Sequence, residues 1–270
     1  MNKNILIALI ASLATLGVSA DSFHSEEPLT HVAEAVSESL EERIQRSRND
    51  LVQSSKSDPL VLERFEQFVE HIQQLHLKEK ALNREEVFLI FDALDFAAQK
   101  HEGQTRRNKA KTPYISHPIG VTNLLIATGG VKHSSLIIAG LLHDTVEATK
   151  TTLAEIAERF GKEAAGYVRE VSHDKGLSSE ERKRLQVIEA AHLSSGAAQI
   201  HFADKLYNLT DLLNHRPEEW SQERVDRYFE WAESVVNRLP ASNPELKHAI
   251  DQTIDKYWES QTQSTSKKTS

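Results

Sequence analysis

Residues 196–213 read GAAQIHFADKLYNLTDLL. Apolar residues return every three to four positions through this stretch, which is the period of one helix face, and nothing in it alternates as a half-buried strand would. Asp204 stands among those apolar neighbours. A carboxylate buried in such a setting is costly unless it is paired or bound to a metal, so the stretch predicts a helix that carries an acid into the interior.

The same period recurs on both sides. Phe88, Phe91, Leu94 and Ala98 line one helical face, and RKRLQVIEAAHL (182–193) and ERVDRYFEWAESVVNRL (223–239) keep the three-to-four spacing. Thr152 with Glu155 reads as a capping box opening a helix that Gly161 ends. Further upstream, Leu60, Leu62, Phe65, Phe68, Val69, Ile72 and Leu75 predict one amphipathic helix that packs on the main domain. Pro113, Pro118, Pro217, Pro240 and Pro244 fall at proposed boundaries, where a missing amide donor does least harm. The predicted fold class is all-α, a compact multi-helix bundle.

The domain organisation follows from composition. MNKNILIALIASLATLGVSA has Lys3 near its start, an apolar run from Ile5 to Val18 and a small-residue end, the pattern of a signal peptide cleaved after Ala20. The run is short for a transmembrane helix. The expectation is an exported protein, periplasmic or secreted, with no membrane association after cleavage. Residues 21–82 form an N-terminal extension whose charge-rich first part, to about Asp58, reads equally well as helix or solvated linker. The main domain is expected over 83–262, followed by a disordered tail at 263–270.

Composition also excludes some functions. With 39% hydrophobic and 27% charged residues the chain can build a sizeable core, and its net charge of -8 argues against broad nucleic-acid binding. There is no cysteine, hence no disulfide and no thiolate site. Any metal must be held by nitrogen and oxygen. The oligomeric state is left open.

Three motifs carry chemistry. LLHDTVEATK (141–150) delivers adjacent His143 and Asp144 from an apolar run, with Glu147 four residues past the histidine. TPYISHPIGV (112–121) sets His117 at a helix start, and HFADKLYNL (201–209) holds Asp204. A lone histidine on an apolar face usually belongs to the core, but three such pieces together suggest a metal site. GQTRRNKAKTPY (103–114) adds Arg106, Arg107, Lys109 and Lys111 without helical periodicity, which on charge alone reads as a solvated basic loop.

Together with ERKRLQV (181–187) and YFEWA (228–232), these motifs resemble the HD-type metal-dependent phosphohydrolases. Within them, the resemblance is to the SpoT-like guanosine tetraphosphate hydrolases, in their stand-alone form, over about residues 85–258. It implies an HD-domain bundle in which His117, His143, Asp144 and Asp204 ligate one divalent ion, Mn²⁺ in the family. Glu147 matches the catalytic carboxylate that orients or deprotonates the attacking water. Arg106 and Arg107 match positions that face the base and phosphates, Asn208 a ribose or phosphate contact, and Tyr114, Arg224 and Tyr228 further substrate-facing positions. The implied partner is a small nucleotide, and the implied reaction is removal of the 3′-pyrophosphate from guanosine tetra- or pentaphosphate. The chain ends soon after this domain, so degradation of the alarmone without its synthesis is expected.

Two positions depart from the family. Ala148 stands where HDTVED has a second acid, and Thr210 replaces the arginine of NLRDL. These changes, with the export signal, keep two alternatives in view: a phosphatase for NADPH or another nucleotide, and a nucleotide-binding protein weakened in catalysis.

Overall fold

The computed structural model describes residues 38–268. The signal-peptide reading of residues 1–20, and the extension as far as residue 37, lie outside the described residues. The chain divides into two compact units, 1–42 and 43–270. In the first, Ser39 and Glu42 form a capping box, Ser39 N donating to Glu42 Oε2 (2.6 Å) and Glu42 N to Ser39 Oγ (3.1 Å). The second unit holds the rest of the described chain.

Its helices are α1 (Leu40–Ser54, from Arg43 onward), α2 (Pro59–Gln73), α3 (Arg84–Lys100), α4 (Ser116–Ala127), α5 (Ser134–Leu142), α6 (Thr145–Ala148), α7 (Leu153–Phe160), α8 (Lys162–Val171), α9 (Ser179–Glu189), α10 (Ser195–Asn214), α11 (Gln222–Val236) and α12 (Pro244–Lys268). Among the described residues there is no β-strand, only an isolated antiparallel bridge between Thr105 and Pro113. The all-α expectation therefore holds. No helix among the described residues is long and apolar enough to cross a membrane.

Local chemistry explains the helix starts. Asp58 accepts from Leu60 N and Val61 N, with Pro59 in the first turn, to open α2. Asn83 and Glu86 form a full capping box on α3. At α7 only half of the predicted box forms: Thr152 caps Glu155 N at 3.1 Å, but the Glu155 carboxylate pairs with Lys100 at 3.0 Å instead. Gly161 ends that helix at φ +92°, a conformation for which glycine is suited.

As its spacing predicts, α2 packs on the main domain: it buries Val61, Phe65, Phe68, Val69 and Ile72 and lies against α4. The charge-rich stretch from Arg43 to Ser54 is helix, and its charge is used internally. The fully buried Arg43 donates to Ser47 Oγ (2.6 Å) and pairs with Asp92 (2.7 Å) and Asp95 (2.8 Å). At the other end, α12 continues to Lys268 where a disordered tail was expected, since no glycine or proline interrupts it.

The centre of the bundle is set by α4, α5 and α10, each packed against the other two. In α4 and α5 nearly every residue is buried, the property of helices that are apolar all round. The approach of α5 to α4 is close: a Cβ on Gly140 would lie 2.7 Å from Leu125 Cδ1. The three helices thus meet where their polar residues face one another.

Candidate active site

Each central helix contributes to one cluster. His117 lies in the first turn of α4, His143 and Asp144 follow the last residue of α5, and Asp204 sits midway along α10. His117 Nε2 is 3.2 Å from His143 Nε2, 3.3 Å from Asp144 Oδ2 and 3.3 Å from Asp204 Oδ1. His143 Nε2 is 3.4 Å from Asp144 Oδ2 and 4.0 Å from Asp204 Oδ1. Ligands about 2.1 Å from a common metal stand roughly 3–4 Å from one another, which is the spacing found. Two nitrogens and two carboxylate oxygens make a donor set for a borderline-to-hard divalent cation.

Protonation fits that reading. His143 Nδ1 lies 2.8 Å from the Gly140 carbonyl, which can hold the ring proton there and leave Nε2 facing the cluster. Burial opposes charge on His143, yet Asp144, Asp204 and the Gly140 carbonyl outweigh it and raise its pKa to about 9. Burial likewise opposes charge on Asp144 and Asp204. The histidines hold Asp144 well below the usual carboxylate range, and Lys205 with the histidines does the same for Asp204. His117 Nδ1 is buried and has no hydrogen-bond partner among the described residues.

Beyond the cluster lies a cavity of about 330 Å³ lined by Arg106, Arg107, Tyr114, Asn208, Trp220 and Tyr228, among others. Two of these reach the cluster. The Tyr114 hydroxyl donates to Asp144 Oδ2 at 2.6 Å, and Asn208 Nδ2 donates to Asp204 Oδ1 at 2.6 Å. Burial, then Asp144, push the Tyr114 pKa well up, so the phenol stays a donor. Arg106 donates to Asn208 Oδ1 (2.8 Å), pairs with Asp211 (3.0 Å) and lies over the Tyr114 and Tyr207 rings. Its side chain is only 15% exposed, so it is not the solvated loop arginine that charge alone suggests. The loop is built around buried Asn108, which exchanges bonds with Thr112.

The remaining residues are placed unevenly. Arg107 is exposed at the cavity wall, while Lys109 and Lys111 face solvent, Lys109 pairing with Glu218. Tyr228 packs between Trp220 and Trp231. Arg224 is exposed and is not among the residues lining the cavity; its guanidinium lies over the Trp220 ring, 4.3 Å from the centroid. Glu147 turns to His173, accepting from its backbone N (2.5 Å) with Nδ1 at 3.3 Å, and to Arg182 at 3.5 Å. Ala148 is exposed and its carbonyl accepts from Gln104. Thr210 lines a different cavity together with Arg64 and Tyr207.

Several neighbours escape a reading of the sequence. Lys205 is 3% exposed and pairs with Asp204 Oδ2 at 2.8 Å; its only signal was to follow an inward aspartate in the sequence. Buried His201 one turn earlier is kept neutral, its pKa lowered to about 3 by burial and then by Lys205. His173 comes from a polar segment with no periodic signal; Arg182 and Lys183, the latter over the Tyr228 and Trp231 rings, lie on the helix that the 182–193 spacing predicts, but nothing in that spacing marks them as neighbours of the site.

Residues 93–230 match the HD domain family. The guanosine-3′,5′-bis(diphosphate) 3′-pyrophosphohydrolases MESH1 of Homo sapiens and Xenopus tropicalis are 49% and 48% identical to this chain. Their alignments span 161 and 163 residues, 60% of this chain in both cases and 90% and 91% of the relatives. The Drosophila melanogaster counterpart is 42% identical over 163 residues, 60% of this chain and 91% of its own. A solved structure described as a metazoan ortholog of SpoT that hydrolyses ppGpp and plays a role in starvation responses gives a TM-score of 0.61 at 40% identity. That match covers 63% of this chain and 95% of the other. The chain therefore belongs to the HD-domain family of guanosine-3′,5′-bis(diphosphate) 3′-pyrophosphohydrolases.

Proposed function

We infer that this protein is a metal-dependent hydrolase that removes the 3′-pyrophosphate from guanosine tetra- or pentaphosphate. The observation that carries the reading is the convergence of His117, His143, Asp144 and Asp204 at a cavity whose Arg106, Asn208 and Tyr114 are bonded to one another or to those ligands. Relatives named for this activity share the domain.

The four side chains would hold one divalent cation, Mn²⁺ in our reading, which when bound polarises a phosphate oxygen and acidifies water. Arg106 enters the cavity pre-oriented by Asp211 and Asn208, so its fork meets phosphate oxygens without first being ordered. Tyr228 and Trp220 offer ring faces to a base, Arg107 supplies charge at the wall, and Arg224 steadies Trp220 through the guanidinium over its ring. Glu147 takes the proton of the water that attacks the phosphorus on the 3′ oxygen. The bond from that phosphorus to the 3′ oxygen breaks and the oxygen takes a proton, leaving GDP or GTP and pyrophosphate. Arg182 and Lys183 supply further positive charge on the Glu147 and Tyr228 side.

The signal-peptide pattern supports an exported enzyme, periplasmic or secreted, that meets its nucleotide outside the cytoplasm. The alternative substrate is NADPH or another phosphorylated nucleotide, whose ribose phosphate ester suits the same chemistry. Incubation with Mn²⁺ and each nucleotide, with products separated by anion exchange, distinguishes them. Pyrophosphate with GDP from guanosine tetraphosphate is expected; release of orthophosphate from NADPH alone would replace the reading.

A pH dependence follows from His143. Metal binding needs its neutral imidazole, whereas the metal-free protein keeps the proton until about pH 9. Each ion bound below that pH displaces the His143 proton, so this group alone should raise Mn²⁺ affinity about tenfold per pH unit on approaching that pH, with the rise levelling off above it. Calorimetry in buffers of different ionisation enthalpy checks this.

A further inference from the structure

We propose that Arg64, on the N-terminal extension, is a positioning residue for the metal centre, acting through Tyr207 on His117. It rests on the metal reading given above. A ligating histidine is ordinarily oriented by a hydrogen bond at its second nitrogen. His117 lacks one: its buried Nδ1 has no partner among the described residues. Packing and the backbone at the start of α4 must therefore aim the ring, and Arg64 touches both.

Arg64 Nη1 donates to the carbonyl of Ser116, the residue before His117, at 2.9 Å. The same nitrogen bonds the Tyr207 hydroxyl, and the guanidinium lies 4.7 Å from the Tyr207 ring centroid. That ring meets His117 edge to face, with centroids 4.8 Å apart. Gly120 leaves the space: a Cβ there would collide with the Tyr207 ring. Arg64 is itself held, its carbonyl accepting from Asn123 Nδ2 at 3.0 Å while Asn123 Oδ1 meets His71 Nδ1 at 3.3 Å. Both Arg64 and His71 belong to α2, outside the residues 93–230 that match the HD domain. The extension thus supplies an outer wall of the site.

The test is a double-mutant cycle on the full chain, read as Mn²⁺ affinity by calorimetry with thermal midpoints recorded alongside. Arg64→Ala should weaken Mn²⁺ binding by about 10–100-fold, the usual effect of losing outer support for a ligand. Tyr207→Phe, which keeps the ring and loses the hydroxyl, should weaken it in the same direction. The double variant should lose less than the product of the two, because one path is broken twice. Arg64→Lys should restore part of the affinity, and Gln67→Ala, on the same helix and cavity, should leave it unchanged. Affinity within about twofold of wild type for both Arg64→Ala and Tyr207→Phe, or strictly multiplicative losses, would overturn the inference. If Arg64→Ala does not fold, Tyr207→Phe and Arg64→Lys decide it by the same criterion. Wild-type protein that binds no Mn²⁺ would instead overturn the metal centre, and this inference with it.

Discussion

Asp144→Ala should lower kcat at least about 10³-fold, well beyond the ~10–100-fold that outer-shell changes cost. Its Oδ2 lies 3.3 Å and 3.4 Å from the two histidine nitrogens and accepts the Tyr114 hydroxyl. One substitution therefore removes a proposed ligand, the charge that chiefly raises the His143 pKa, and one of the two hydrogen bonds that join cluster and cavity. Arg106 keeps its partners Asp211 and Asn208, so KM should change far less than kcat. Steady-state kinetics with circular dichroism on the same preparation tests this. A folded variant with a tenth of wild-type turnover would remove Asp144 from the chemistry.

Glu147→Gln should cost about 10²–10⁴ in kcat while Mn²⁺ affinity stays near wild type, because an amide keeps the shape but cannot take a proton. Glu147 touches His173 and Arg182 and none of the four ligands among its hydrogen bonds and ion pairs. The companion variant Ala148→Asp should change turnover less than about tenfold, since proton handling is assigned to Glu147 in the proposed mechanism and residue 148 is exposed. A gain of several hundredfold would mean that the enzyme has decayed from a two-carboxylate ancestor. An unchanged kcat in Glu147→Gln would assign the base elsewhere, with His173 first in line.

Much of this was legible in the sequence. The period of 196–213 predicted α10 with Asp204 turned inward, and His117 was read at a helix start and His143 at the end of an apolar run; that α4 and α5 are buried on nearly every side emerges only in the fold. What periodicity cannot show is which polar residues turn inward. Lys205 looks like any helix lysine until Asp204 is seen to need it, and Arg43 and Arg64 lie in polar or mixed segments whose partners are on other helices. Their placement depends on contacts across 49 and 52 residues of chain, between elements whose arrangement no local pattern encodes. Arg224 shows a further limit: spacing cannot tell that its guanidinium lies over the ring of the cavity residue Trp220.

The most direct measurement follows turnover and metal together. Metal-free protein titrated with Mn²⁺ should release pyrophosphate from guanosine tetraphosphate in proportion to bound ion, reach full rate at one ion per chain, and fail to do so in Asp204→Ala. Pyrophosphate release by the metal-free protein, or turnover saturating with no ion bound at these four residues, would contradict a metal centre built by His117, His143, Asp144 and Asp204.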